Sequence, residues 1–532
     1  MKELDMLVVG AGFAGIYQLY KAREAGLRVK VLEMGDGVGG TWFWNRYPGA
    51  RCDVESLDYS YSFSRELEEE WEWSERYATQ AEILRYINHV VDRFSLRPDI
   101  ELNTKVVKAH FDEKANVWEV QTEAGEVYRA RYLVMATGGL SVPQRPSLEG
   151  LDSFKGRWHH SARWPNEGVD FSGRKVVLIG TGSSGVQMVP VIAEQASHLT
   201  VLQRTANFSV PAHNVPFTPQ ALKAAKARYP ERRAMGREAI TGQFLNANTK
   251  TAAEMTEQEQ MAELEYRWRG AGGGFRMLRT FADQMSNPET NRLVAEFARK
   301  KIHEIVKDPR KASILTPKDD LPFGGKRLSV DSNYYETFNK PHVDIVDVGA
   351  EPLVCATETG IRTTKQDIDC DDIVFATGFD ALTGALKAID LRGEGGLTIK
   401  EKWEQGPVSY LGLFISGFPN LFVVAGPGSP SVLSNMVHSI ETHVDWIMRL
   451  LKHAQQHGVQ RIGATQEAED AWVQRCADEA AKTLYPKAKS WYMGDNIDGK
   501  PRLFMPFVAG VPLYRRIIEE VASNNYQGLQ MS

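Results

Sequence analysis

An α/β fold with two parallel-sheet units and a helical insertion is predicted by three features of the sequence. Two strand–glycine turn–helix–strand segments begin their turns at Gly10 and Gly180. Two further apolar strands end in Ala-Thr-Gly, at 136–138 and 376–378. Residues 218–316 have a different texture, mostly amphipathic helix (PQALKAAKARY, EQEQMAELEYRW, NRLVAEFARKKIHEIV), interrupted by GAGGG at 270–274.

In the first unit, the apolar run LDMLVV (4–9) leads into GAGFAG with Gly10, Gly12 and Gly15. A helical pattern follows, and then a second strand, VKVLE, ends on Glu33. This order within about 30 residues is the setting of a Rossmann-like dinucleotide-binding fold. The glycines let the backbone approach a pyrophosphate seated on the helix N-terminus, where free N–H groups favour an anion. Glu33, 18 positions past Gly15, is placed to accept ribose hydroxyls.

The second unit repeats the pattern with a different ending. RKVVLIG (174–180) runs into GTGSSG, which supplies Gly180, Thr181, Gly182, Ser183, Ser184 and Gly185. The strand LTVLQ (199–203) then ends without an acid, on Arg204 and Thr205. A guanidinium there pairs with a 2′-phosphate that a carboxylate would repel. The first unit therefore suits FAD or NAD and the second NADP. A single glycine turn is compatible with an ordinary strand-to-helix corner; two of them with opposite ribose chemistry are not.

The strands YLVMATGG (132–139) and DIVFATGFD (372–380) are expected to return beneath the two nucleotides, and NLFVVAGPGSP (420–430) adds a third strand with a tight turn. The expected division is a nucleotide-binding domain over 1–140, completed by 381–532, and a second over 141–217 and 317–380, with 218–316 inserted as helices. A linker between the nucleotide units is expected around His160.

Composition narrows the class. Hydrophobic residues make up 42% and charged residues 25% of 532, ordinary globular usage that excludes a fibrous or disordered chain. The net charge of −5 is spread without a basic block, so nucleic acid and anionic membrane are not expected partners. No apolar run reaches the ~18 residues of a transmembrane helix. The start, MKELDMLVVGAGFAG, breaks into glycines rather than forming a leader, so a cytoplasmic protein is expected. Four cysteines without a CxxC argue against disulfides and zinc.

Two dinucleotide sites imply hydride transfer from NADPH to a flavin. The electrons then go to a disulfide, to a protein partner or to oxygen. The disulfide outlet needs a cysteine pair; here Trp42 follows GGT (39–41) and Cys52 stands alone. Cys52 is expected only to pack.

Three motifs decide among the outlets. FKGRWHHSARWP supplies Phe154, Gly156, His160, Trp164 and Pro165; GGTWFWNRYPGARCD supplies Gly40, Thr41, Trp42 and Asp53; PFGGKRL supplies Lys326 and Arg327. On these the chain resembles the type I Baeyer–Villiger monooxygenases, and the similarity runs from residue 4 to the C-terminus. Flavin monooxygenases that oxidise nitrogen or sulfur share the FxGxxxH stem but normally lack its Trp-Pro ending.

The resemblance implies that one oxygen atom of O2 is inserted beside a ketone carbonyl, through a flavin peroxide, to give an ester or lactone with NADPH oxidised; sulfoxidation is an expected side activity. It further implies FAD contacts at Phe13, Trp42, Tyr59, Val106 and Met436, and NADP contacts at Lys326, Arg327 and Trp491. Leu140, Ser431, Val432, Leu433 and Met436 are implied to line an apolar substrate pocket, reshaped by glycine at 139. No protein partner is expected.

The physics of such a reaction fits these residues independently. An anionic oxygen species in a dry pocket needs a permanent cation, and arginine is the side chain that keeps its proton. Arg327 is the candidate, with Asp53 gripping its planar fork; the bland alternatives are a solvated loop arginine and a turn-capping aspartate. Gly324 and Gly325 are expected to make the loop mobile. A structural or hinge role is expected for His160, and exposure for His159. The runner-up readings are an N- or S-oxygenating flavin monooxygenase and a flavin-binding electron-transfer or interaction protein.

Overall fold

The computed structural model describes residues 2–270 and 273–532. Two residues of the expected glycine interruption, Ala271 and Gly272, lie outside the described residues.

Strand β1 (Lys2–Val9), helix α1 (Phe13–Glu24) and strand β2 (Val29–Leu32) form the first unit. β1 pairs in parallel with β2, Met6 opposite Val29, and on its other edge with Val127–Met135, Val9 opposite Met135. Both faces of β1 are covered, so its last four residues are a buried apolar run rather than an alternating one. The antiparallel strands Val106–Asp112 and Val117–Thr122 extend this sheet. Two strands from the far end of the chain complete it. Leu421–Val423 pairs with residues 133–135, and Asp390–Arg392 pairs with residues 108–110.

Strand β3 (Lys175–Ile179), helix α2 (Ser183–Ala193) and strand β4 (His198–Gln203) form the second unit. The sheet is parallel throughout: Val343–Asp347, β4, β3, Asp372–Phe375 and Arg157–His160, in that spatial order.

That last strand corrects the expectation of a linker at His160. FKGRWHH folds as an edge strand, with His160 opposite Phe375. His160 is buried; its Nε2 is 3.2 Å from the Thr377 hydroxyl and its Nδ1 accepts the Ala162 N–H at 3.1 Å. Gly156 is required because a Cβ there would strike the Asp371 carbonyl. His159, expected to be exposed, instead lies 3.6 Å from the fully buried Asp372 carboxylate, which also takes Arg157 and Arg174. Its ring faces Trp164 at 5.5 Å. Buried charge explains the flanking arginines: Asp372 needs cations once the sheet has removed its water.

The insertion is helical as expected, with Pro219–Ala227, Glu257–Arg269 and Pro288–Ile305 among its elements. A helix not anticipated, Tyr229–Glu238, docks it onto the first unit: Arg232 grips Asp58 at 2.6 Å and Glu55 at 2.9 Å, and Arg233 pairs with Glu68 at 2.8 Å. The long helix Met436–Gln456 lies on α1, where the Tyr17 hydroxyl donates to Asp445 at 2.8 Å. Among the described residues no helix is long and apolar enough to cross a membrane.

Candidate active site

The two glycine turns are built alike. Gly10 (φ +103°) and Gly180 (φ +110°) adopt a backbone conformation that other residues resist, and a Cβ at either would meet the carbonyl of Ala136 or Ala376, 2.6 and 2.5 Å away. Those alanines belong to the two Ala-Thr-Gly segments, so each return strand runs under its own turn. Gly15 and Gly185 pack against the carbonyls of Gly10 and Gly180. Both helices begin on a glycine N-cap, Gly12 and Gly182, with no side chain capping their amides. The helices Gln80–Arg93 and Glu257–Arg269, by contrast, are capped by Thr79 and Thr256. Free amides are what a pyrophosphate takes up.

The ends of β2 and β4 differ as expected. Glu33 is buried, and its carboxylate accepts the Ala11 and Gly35 N–H groups at 2.8 and 2.9 Å, while burial pushes its pKa up. Arg204 and Thr205 are exposed. Beside Arg204 sits half-buried Lys326, whose pKa burial and the nearby guanidinium lower. Neither cation has an ion pair among the described residues, an arrangement that suits a phosphate monoester.

Around the first turn, Gly40 approaches Gly12, Trp42 donates its Nε1–H to the Tyr59 hydroxyl at 3.1 Å, and Tyr59 meets Phe13 edge-on at 5.3 Å. Thr41 remains exposed. Val106 is buried beside Leu32 and Met135 on the first sheet. The same motif reaches the second unit: Tyr47 donates to Gln187 of α2 at 2.9 Å, and Arg163 lies over the Trp44 ring at 4.8 Å. The Trp164-Pro165 end of the strand motif and the GGTW motif therefore meet at the seam between the two nucleotide units.

Arg327 and Asp53, 274 positions apart, form a two-point fork: Nε to Oδ2 at 2.8 Å and Nη2 to Oδ1 at 2.9 Å. Arg327 Nη1 donates to the Val432 carbonyl at 2.6 Å. Burial works against the guanidinium charge, but Asp53 and the Tyr492 hydroxyl outweigh it and raise its pKa. The result is a permanent cation with its orientation fixed. In this conformation the loop of Gly324 and Gly325, expected to be mobile, is held by side-chain contacts. Asn291 accepts the Phe323 N–H at 2.8 Å and donates to the Phe323 carbonyl at 3.0 Å, pinning the loop from below. Gly324 lies against Leu278, and a Cβ at Gly325 would meet Ala488 at 2.9 Å; both glycines serve close packing.

Val432, Leu433, Met436 and Trp491 join Leu382, Tyr492 and Phe504 in one apolar cluster. Ser431 is fully buried in a left-handed conformation (φ +35°) with its hydroxyl unpaired. Leu140 is partly buried, and a Cβ on neighbouring Gly139 would press on Leu382 at 2.9 Å. The loop carrying Trp491 is tied down by Asn496, which donates to the Phe379 carbonyl at 2.8 Å, and by Lys500, which reaches Asp380 at 2.8 Å. Sequence reasoning missed Tyr492 and Phe275, whose ring lies under the Arg327 guanidinium at 5.0 Å. Adjacency to Trp491 was the available signal for the first; nothing local marks the second.

Among the described residues the four cysteines are free, and burial pushes the Cys52 thiol well above its ordinary pKa, which disfavours the thiolate.

Residues 7–264 match the family model described as pyridine nucleotide-disulphide oxidoreductase. The chain is 42% identical, over 99% of its length and 96% of the relative's, to a Baeyer–Villiger monooxygenase of Pseudooceanicola batsensis. It is 41% identical, over 99% and 96%, to the phenazine N-monooxygenase PhzNO1 of Lysobacter antibioticus. Its fold superposes on a solved, oxidized steroid monooxygenase bound to NADP with a TM-score of 0.95, at 49% identity over 100% of this chain and 99% of that one. The chain belongs to the Baeyer–Villiger monooxygenase family.

Proposed function

We propose that this chain converts an apolar ketone to an ester or lactone, using FAD at the first glycine turn, NADPH at the second, and O2. The observation that carries the reading is the Arg327 guanidinium, half-buried, gripped at two points by Asp53 and bonded to the carbonyl of Val432 in an apolar cluster. When bound, FAD takes a hydride from NADPH and delivers one oxygen atom of O2 to the substrate, the other leaving as water.

The chain's own residues supply the setting. Glycines 10, 12 and 15, with Glu33, hold the flavin nucleotide; glycines 180, 182 and 185 hold the NADP pyrophosphate, and Arg204 with Lys326 its 2′-phosphate. Arg327 would oppose negative charge on oxygen at the reacting centre, beside the apolar cluster of Leu382, Val432 and Phe504. Asp53 keeps the guanidinium plane in place. Trp491, on a loop tied to residues 379–381, would help to hold the bound NADP. The domain division proposed is 1–140 with 381–532, 141–217 with 317–380, and 218–316 as the insertion, in a cytoplasmic enzyme.

A second reading, oxygenation of an aromatic ring nitrogen, is favoured by the name of the Lysobacter relative. Such a nitrogen attacks a protonated oxygen donor, for which a fixed cation does less. Mass spectrometry of products from a panel of aryl, cyclic and steroidal ketones beside nitrogen heterocycles, with NADPH and O2, tests both. Esters from ketones are expected; N-oxides alone would overturn the first reading.

A further inference from the structure

We infer that Phe275 is a positioning residue for the reaction, its ring face holding the Arg327 guanidinium at the depth where it meets the reacting oxygen. The inference rests on the reading above and adds a residue that no motif marks. Asp53 and the Val432 carbonyl constrain the guanidinium at its edges, within its own plane. Neither covers a face of the guanidinium. Phe275 does so: its ring centroid lies 5.0 Å from the guanidinium carbon, and the ring is 8% exposed. The negative face of an aromatic ring attracts a cation, most strongly where water is excluded.

The ring is itself held. Gly274 (φ +52°) turns the chain against the Tyr77 hydroxyl, where no side chain fits. The next residue, Arg276, makes a buried ion pair with Glu55, two positions past Asp53. The stretch Asp53–Glu55 thus grips the arginine directly through one carboxylate and, through the other, the segment that carries the ring. A shift of that stretch moves both supports together, so the guanidinium keeps its orientation relative to carboxylate and ring.

The test replaces Phe275 with mono-, tri- and pentafluorophenylalanine, which keep the ring's shape while weakening and then reversing its face charge, alongside Phe275→Leu. Measured in the holoenzyme are ester formed per NADPH consumed, hydrogen peroxide released, the anaerobic rate of flavin reduction and the melting temperature. The ester yield should fall stepwise with fluorination, by about 5- to 30-fold at the pentafluoro ring, with peroxide rising to match and anaerobic reduction unchanged. An unchanged ester yield at the pentafluoro ring overturns the inference. So does an effect confined to KM for the ketone, which makes the ring a substrate contact, and so does loss of FAD or of the folded state, which makes it packing alone. Wild-type protein that forms no ester from any ketone would instead sink the proposed function, and this inference with it.

Discussion

Arg327 carries the largest single effect expected at the residue scale. Removing one preorganised charge stabiliser costs about 10²- to 10³-fold in rate. Arg327→Ala should still bind FAD and accept a hydride from NADPH, but release hydrogen peroxide in place of ester. Arg327→Lys keeps a charge and loses the two-point grip on Asp53, so it should retain a fraction of the oxygenation. The ratio of ester to NADPH consumed distinguishes the three proteins; a ratio in Arg327→Ala equal to wild type rules the role out. Arg204 acts on cofactor choice rather than chemistry. Exposed and without an ion pair among the described residues, it has one charge to offer the 2′-phosphate. Arg204→Ala should weaken NADPH binding by about 1.5–3 kcal/mol and leave NADH nearly untouched. Equal losses with both nucleotides, in parallel KM measurements, would assign the phosphate to another residue.

At the scale of elements, the loop that carries Arg327 matters for its stiffness. Its apolar Phe323 is buried, and both of that residue's backbone groups end on the Asn291 side chain. Asn291→Ala leaves two buried backbone groups without partners, at about 1–3 kcal/mol. The expected outcome is a lower melting temperature together with a reduced ester yield per NADPH, since the cation then wanders. A variant that melts earlier but keeps full coupling would show that Asp53 suffices to orient Arg327. The Arg157–His160 strand makes a related point. A polar-looking motif with two histidines and two tryptophans reads as a loop, because its alternation is masked by charges. Two of those charges are spent on partners more than 200 positions away, Arg157 on Asp372 and Lys155 on Glu358, and these ion pairs accompany the pairing of the segment at a sheet edge.

For the whole molecule, the joint between the first nucleotide unit and the insertion is electrostatic, and that sets an acid limit. Burial pushes the Glu55 carboxyl up, but Arg276, Arg76 and Arg232 outweigh it and hold its pKa at about 2, down from 4.5. A folded pKa below the unfolded one contributes stability at pH above the unfolded value, lost as pH falls through the folded one. Melting temperature should therefore drop between pH 4.5 and about 2, and Glu55→Gln should flatten that dependence while costing about 3–5 kcal/mol near neutrality. An acid profile identical in Glu55→Gln and wild type would place the limit elsewhere. What the sequence by itself determined is whatever local geometry demands. Each nucleotide turn needs its glycines within a few residues, and each ribose its acid or arginine at the end of the next strand, so cofactor class and α/β architecture were legible within about 30 residues of each turn. The pairing of Asp53 with Arg327 was legible only through motifs carried as a resemblance. Tertiary structure alone decided the rest: the edge strand that contains His160, the pinned loop, the Tyr229–Glu238 helix clamped by Glu55 and Asp58, and the Phe275 face. Each depends on a contact between residues far apart in sequence, where burial rather than local preference sets the energy, and burial is a property of the packed chain.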